Sequence, residues 1–100
     1  MKKGDKHIMQ YKPIRFRPGT VYVTRAVSEM LSRKRLLQLL QRHIHGDWGD
    51  TCKNDRAANE QAIGSGDRIL SWYQVSGKIR ILIITEADRS ATTIMLSDEY

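Results

Sequence analysis

One hundred residues with a single cysteine, two prolines and a formal net charge of +6 suit one small domain and leave no room for a second. The lone Cys52 excludes an internal disulfide. Met1-Lys2-Lys3 leads into no apolar run long enough for a signal peptide or a membrane span, so a cytoplasmic protein with no membrane partner is expected.

The positive charge is concentrated at the start. Residues 1–17 hold Lys2, Lys3, Lys6, Lys12, Arg15 and Arg17 against Asp5 alone. This segment reads as a basic, partly disordered arm ahead of a single domain spanning residues 18–100. Such an arm can neutralise phosphates and bind nucleic acid with strong salt dependence, or meet an acidic protein. The plainer reading is a solvated tail that keeps a small protein soluble.

Within residues 11–17 apolar and basic side chains alternate, but Pro13 limits the stretch to an edge or extended segment. Pro18-Gly19 forms a turn, and Thr20-Val21-Tyr22-Val23 is β-branched and aromatic, as a short strand requires. Thr24 caps a brief helix through Ala26, Val27, Met30 and Leu31. Ser32 caps the clearest helix, in which Leu36, Leu37, Leu40 and Ile44 recur at helical spacing. Its first turn holds Arg33, Lys34 and Arg35, cations placed at the positive end of the helix dipole, which favours solvation or an anion there.

Gly46 is suited to end that helix in the left-handed conformation, and Gly49 gives the following loop a second point of backbone freedom. Thr51 or Asp50 then caps a helix from about Cys52 to Ile63, closed by Gly64. Its inward face reads Asp55, Ala58, Asn59 and Ala62, polar enough that Asp55 and Asn59 need hydrogen-bond partners if buried. The last third is a meander. Arg68 to Val75 and Lys78 to Glu86 flank Ser76-Gly77, a two-residue turn that pairs Val75 with Lys78, Tyr73 with Arg80 and Trp72 with Ile81. That register places Leu70, Trp72, Ile79, Ile81 and Ile83 on the helix-packed face and Tyr73, Lys78 and Arg80 on the other. A loop through Asp88 returns the chain into Ala91 to Leu96, where Thr92, Ile94 and Leu96 join the apolar face.

Chemistry-bearing residues gather in Arg42-His43-Ile44-His45-Gly46-Asp47-Trp48-Gly49-Asp50. His43 and His45 stand two apart, so on a helix they point to nearly opposite sides and cannot chelate one ion. His43 with Asp47 or Asp50 makes a mixed trio without regular ligand spacing, and no metal or cofactor is expected from it. Glu86 and Asp88, at the end of a buried strand and followed by Arg89, match the strand-end carboxylates of hydrolases, yet a salt-bridged turn accounts for them more simply. Gly64-Ser65-Gly66 follows a helix, whereas phosphate loops precede one. Cys52 beside Lys53 has no assigned role.

Taken together, His43-x-x-Gly46-Asp47-Trp48-Gly49-Asp50, Asn59-x-x-Ala62, Arg68-Ile69-Leu70-Ser71-x-Tyr73, Ile83-Ile84-Thr85-Glu86-Ala87-Asp88-Arg89-Ser90-x-Thr92-Thr93 and the final Glu99-Tyr100 resemble a family of small uncharacterised proteins of plasmids, integrative elements and integron gene cassettes. The resemblance covers roughly residues 20 to 100 and implies a mobile-element accessory protein with no assigned activity. Some relatives carry the label of a type I restriction modification subunit. A methyltransferase needs a Gly-rich cofactor loop and an Asn-Pro-Pro-aromatic motif, and here the only prolines are Pro13 and Pro18.

The expected architecture is therefore α+β: a short N-terminal strand and a three-strand meander forming an antiparallel sheet, with two main helices on one face and Trp48 and Trp72 at the junction. The expected function is non-catalytic binding or adaptor work, with Lys2, Lys3, Lys6, Lys12, Arg15, Arg17, Arg33, Lys34 and Arg35 facing a nucleic acid or acidic protein, and a homodimer as a further partner. The alternative is a small hydrolase or nuclease using a cluster of His43, Asp47, Trp48, Asp50, Asn59, Glu86, Asp88 and Arg89.

Overall fold

A computed structural model describes residues 12–100. Strand β1 (Thr20–Val23) is followed by helices α1 (Arg25–Met30), α2 (Arg33–Ile44) and α3 (Lys53–Ser65), then by strands β2 (Ile69–Gln74), β3 (Arg80–Thr85) and β4 (Ala91–Leu96) and a closing 3-10 turn. The fold is α+β. The strands form one sheet in the order β1-β4-β3-β2. The meander is antiparallel as expected, but β1 lies parallel to β4, so the sheet is mixed. Three helices stand between β1 and β2, and that long connection lets β1 enter beside β4 without a hairpin. No helix among the described residues is long and apolar enough to cross a membrane.

The caps explain where the helices begin and end. Thr24 Oγ1 accepts from Val27 N at the start of α1, and Ser32 Oγ from Arg35 N at the start of α2. Gly46, at φ 81°, follows the last turn of α2 as expected. In α3 the expectation needs correcting. Its N-cap is Cys52, with no side-chain cap, because Asp50 and Thr51 are engaged elsewhere. The helix runs through Gly64 to a left-handed Gly66. Asn59 and Ala62 are buried on it, while Asp55 and Ala58 are exposed.

The hairpin is one residue out of the expected register. Tyr73 faces Ile81 and Trp72 faces Leu82, and Val75 N donates to Ile79 O at 2.9 Å, leaving the three-residue loop Ser76-Gly77-Lys78. A two-residue turn here would need Ser76 at positive φ, or glycine in the first central position, and Ser-Gly meets neither requirement. A slip of one exchanges the faces of a strand. The helix-packed face of β2 is accordingly Ile69, Ser71 and Tyr73, all buried, and Trp72 lies on the opposite face, where the Arg80 guanidinium sits 4.5 Å from its ring and Tyr100 meets its edge.

Against that inner face pack two clusters. Val27, Leu39, Tyr73, Ile81, Ile83 and Ile94 form one, and Phe16, Ile44, Trp48, Ala62 and Ile69 the other. Trp48 marks the helix-sheet junction as expected. On α2 the buried leucine is Leu39, with Leu36 and Leu40 beside it, whereas Leu37 is 50% exposed. The packed domain also reaches back before residue 18. Phe16 is buried, Arg15 N donates to Ile44 O at 2.8 Å, and the Arg15 guanidinium grips Glu60 with two bonds of 2.7 and 2.8 Å.

These assignments separate two leucines that stand two residues apart, Leu37 and Leu39. Leu39→Ala should cost about 3 kcal/mol through lost burial and an unfilled cavity, whereas Leu37→Ala should stay within about 0.5 kcal/mol of the parent. Urea unfolding of the two variants measures both, and equal losses would contradict the helix orientation.

Candidate functional site

His43 projects from the last turn of α2 into the sheet and is fully buried. Its Nδ1 lies 2.6 Å from Ser71 Oγ on β2 and its Nε2 lies 2.9 Å from Thr85 Oγ1 on β3. Thr85 Oγ1 is 2.7 Å from Thr92 Oγ1 on β4, which donates to the carbonyl of Pro18 at 2.7 Å. The final carbonyl sets the direction of the chain, because each hydroxyl has one proton to give. Thr92 donates to Pro18, so Thr85 donates to Thr92 and accepts from His43 Nε2–H, and Ser71 donates to Nδ1. His43 is thus a neutral Nε2–H tautomer. Burial pushes its pKa down from 6.5 to about 3.

The loop after α2 lies along the outer edge of β2 and closes it. Leu70, Trp72 and Gln74 turn their backbone groups away from β3. Asn59 takes both from Leu70, donating Nδ2 to its carbonyl at 2.6 Å and accepting its N–H at 3.1 Å. Thr51 Oγ1 accepts from Trp72 N at 3.0 Å, Asp50 N donates to Trp72 O at 2.7 Å, and Asp50 Oδ2 accepts from Gln74 N at 2.6 Å. Gly49, at φ 62°, permits this approach, since a Cβ there would strike the Trp72 carbonyl and the Tyr73 ring. Three side chains and one amide therefore do the work of a fifth strand.

Flanking contacts hold the loop in place. Arg42 grips Asp47 at 2.7 and 3.2 Å, and this hydrogen bond holds the Asp47 carboxyl below the usual range. The Arg42 guanidinium also lies 4.8 Å from the Tyr73 ring, whose hydroxyl donates to Asp47 O at 2.7 Å and is pushed up in pKa by burial. Trp48 Nε1 donates to Glu60 Oε2 at 2.8 Å, and Glu60 is lowered by Arg15 first and Trp48 second.

Glu86, Asp88 and Arg89 occupy the turn between β3 and β4. Arg89, at φ 61°, donates to the carbonyls of Asp67, Glu86, Ala87 and Ala62, joining the turn to the end of α3. Asp88 accepts from Ser90 N at 3.0 Å, and hydrogen bonds to Ser90 lower its pKa. Glu86 stands 3.5 Å from Arg68, both about half-exposed, an arrangement that contributes little.

The candidate residues thus divide by role. Asp47, Trp48, Asp50 and Asn59 meet at the β2 edge, Glu86, Asp88 and Arg89 meet at a turn, and His43 lies in the core between them. Among the described residues no group of three or more His, Cys, Asp and Glu side chains is arranged to hold a metal ion. His45 spans Gln41 O and Lys12 O at 2.7 and 3.0 Å, tying residue 12 to the end of α2.

Of the basic residues, Lys12 and Arg17 are exposed and Arg15 is paired with Glu60, while Lys2, Lys3 and Lys6 lie outside the described residues. Arg33, Lys34 and Arg35 are exposed at the start of α2. With Leu37, Gln38, Gln41 and Arg42 they make up an open, solvent-facing surface of α2. Sequence reasoning read Thr51 only as a helix cap and tied neither Ser71 nor Thr85 to His43. Thr85 had a signal, since it continues the alternation of Ile81 and Ile83 and so places a hydroxyl on the buried face. No protein-family model matches the chain, no curated protein matches it, and no solved structure matches it.

Because His43 is neutral when folded and protonates near pH 6.5 when unfolded, the unfolded chain binds the extra proton as pH falls. Stability is complete above 6.5 and declines from there down to about 3. The loss should reach about 2 kcal/mol between pH 7 and pH 5. His43→Gln should be less stable at pH 7 but lack this slope, and parallel decline of both proteins in urea titrations would contradict it. Asn59→Leu should cost about 2–4 kcal/mol by leaving both Leu70 backbone groups without partners, read from the shift in denaturation midpoint.

Proposed function

We propose that this protein is a non-catalytic binding protein whose partner is a nucleic acid, met by the outward face of α2. The observation that carries the reading is a charge pattern fixed on one rigid helix. From Met30 to Gly46 there is no acidic side chain, and Arg33, Lys34 and Arg35 stand exposed in the first turn with no ion pair among the described residues. Their mutual repulsion and the positive end of the helix dipole both disfavour the free state. Phosphate oxygens relieve both, and neutralising them releases counterions. Gln38 and Gln41 on the same helix supply amides that both donate and accept, and the exposed Leu37 offers an apolar contact beside them.

The allocation of the other polar groups supports binding over catalysis. A general base must reach a substrate proton, and His43 is enclosed by two hydroxyls. Asp47 and Asp50 are committed to Arg42 and to the amide of Gln74. A hydrolase or nuclease would have to give up these bonds in order to act. Accessory work on a mobile element is the setting that the family resemblance implies, and a nucleic-acid partner fits it.

The test is fluorescence anisotropy with short duplex and single-stranded oligonucleotides over a range of salt. Replacing Arg33, Lys34 and Arg35 together by glutamine should weaken binding to every sequence alike and lower the salt slope by about 2–3. Its melting temperature should hold or rise slightly, because the same change removes cations from the positive helix end. Absent binding, or binding indifferent to the triple substitution, would overturn the reading.

A further inference from the structure

The two edges of the sheet are treated differently. The β2 edge is closed by Asn59, Thr51 and Asp50, as described above, whereas among the described residues the β1 edge is open. Thr20 N donates to Ser90 O and Thr24 N to Ile94 O, and in the parallel register Tyr22 faces Thr93. Alternation along the strand then turns the N–H and C=O of Val21 and Val23 outward, away from β4. No partner among the described residues takes them. The side chains are equally open, with Val21 36%, Tyr22 56% and Val23 36% exposed. None of Thr20-Val21-Tyr22-Val23 is charged or a proline, so the strand lacks the residues that commonly protect an edge.

We propose that the β1 edge is a dimer interface, on which β1 of a second copy pairs antiparallel about a two-fold axis at Tyr22. The outward groups of β1 are self-complementary in this arrangement. Val21 of one copy meets Val23 of the other, and each such pair exchanges two backbone hydrogen bonds. Tyr22 faces its own counterpart in the non-hydrogen-bonded position between them, where side chains come closest. The valines meet on one face of the joined sheet and the tyrosines on the other. Arg25 of one copy comes opposite Gly19 of the other, so the nearest cations do not oppose each other.

The same asymmetry explains why a second copy, rather than an open series, is the occupant. Among the described residues each chain has one open edge and one closed edge. Joining the open edges gives an eight-stranded sheet that ends on both sides in β2, closed by Asn59, Thr51 and Asp50. The interface is isologous, and assembly stops at two. This inference does not depend on the nucleic-acid reading, because its readout is mass and its residues lie on another element.

Sedimentation equilibrium of the full chain should give twice the chain mass in the micromolar range. Tyr22→Lys places two ammonium groups across the axis without touching the ladder to β4. It should weaken dimerisation at least about tenfold while leaving the circular dichroism spectrum unchanged. In a Cys52→Ser background, Tyr22→Cys should form an intermolecular disulfide on mild oxidation, since its Cα atoms would be about 4.5 Å apart, within the span a disulfide bridges. Thr20→Cys, displaced along the strand from its counterpart, should not. A monomer at all concentrations would overturn the proposal. So would a dimer indifferent to Tyr22→Lys, or a monomer that becomes a dimer when residues 1–11 are removed, which would assign the edge to the chain's own arm.

Discussion

The structure depends on one buried imidazole being supplied with the right hydroxyls. His43 reaches the sheet from α2 where no water can satisfy it, and in such a place each unmet ring nitrogen would cost a sizeable part of the stability of a small domain. The hydroxyls of Ser71, Thr85 and Thr92, one from each meander strand, relay its hydrogen bond across the sheet to the Pro18 carbonyl. A helix, three strands and the segment entering β1 are thereby fixed relative to one another. Apolar packing alone tolerates sliding, but a directional chain ending in a carbonyl does so far less.

Much of the remaining architecture follows from that placement. With His43 in the core, the chain leaves α2 at Gly46 directly beside the edge of β2, and the loop must run along that edge. Gly49 lets its backbone come close, while Asp50, Thr51 and Asn59 convert proximity into hydrogen bonds. The density of histidine, aspartate, tryptophan and glycine in residues 42–50 thus arises from closing a sheet and anchoring a helix end. The groups that resemble an active site are the ones the fold has already committed. Among the described residues, the cations at the start of α2 are left without ion pairs and the outward backbone groups of β1 without hydrogen-bond partners.

The elements with a single local cause were legible in the sequence. Thr24 and Ser32 cap the helices they were expected to cap, Gly46 ends α2, and the strands fall where β-branched residues cluster. The errors arose where a tertiary partner outweighed a local pattern. Leu70 and Trp72 look like core beside Ser71 and Tyr73, yet Ser71 goes inward because His43 waits for it and Tyr73 because its hydroxyl meets the Asp47 carbonyl. Asp50 and Thr51 look like caps for α3, but the free amides of β2 take them first. The parallel entry of β1 had no local signal at all, since it is decided by where three intervening helices deliver the chain. Asn59 and Ala62 were readable as an inward pair. That Asn59 would act as a strand depended on an edge whose register could not be read from the hairpin alone.

The account stands most directly on the protonation state of one ring. Long-range proton–nitrogen correlation spectra of the full chain, with histidines labelled with nitrogen-15, report which nitrogen of His43 carries hydrogen. The structure requires a neutral ring protonated at Nε2, unchanged when the sample is taken from pH 7 to pH 5, because its pKa is held near 3. A ring that titrates near 6.5, or one protonated at Nδ1 at neutral pH, would show that the hydroxyl chain does not exist as drawn, and would return His43 to the residues available for chemistry.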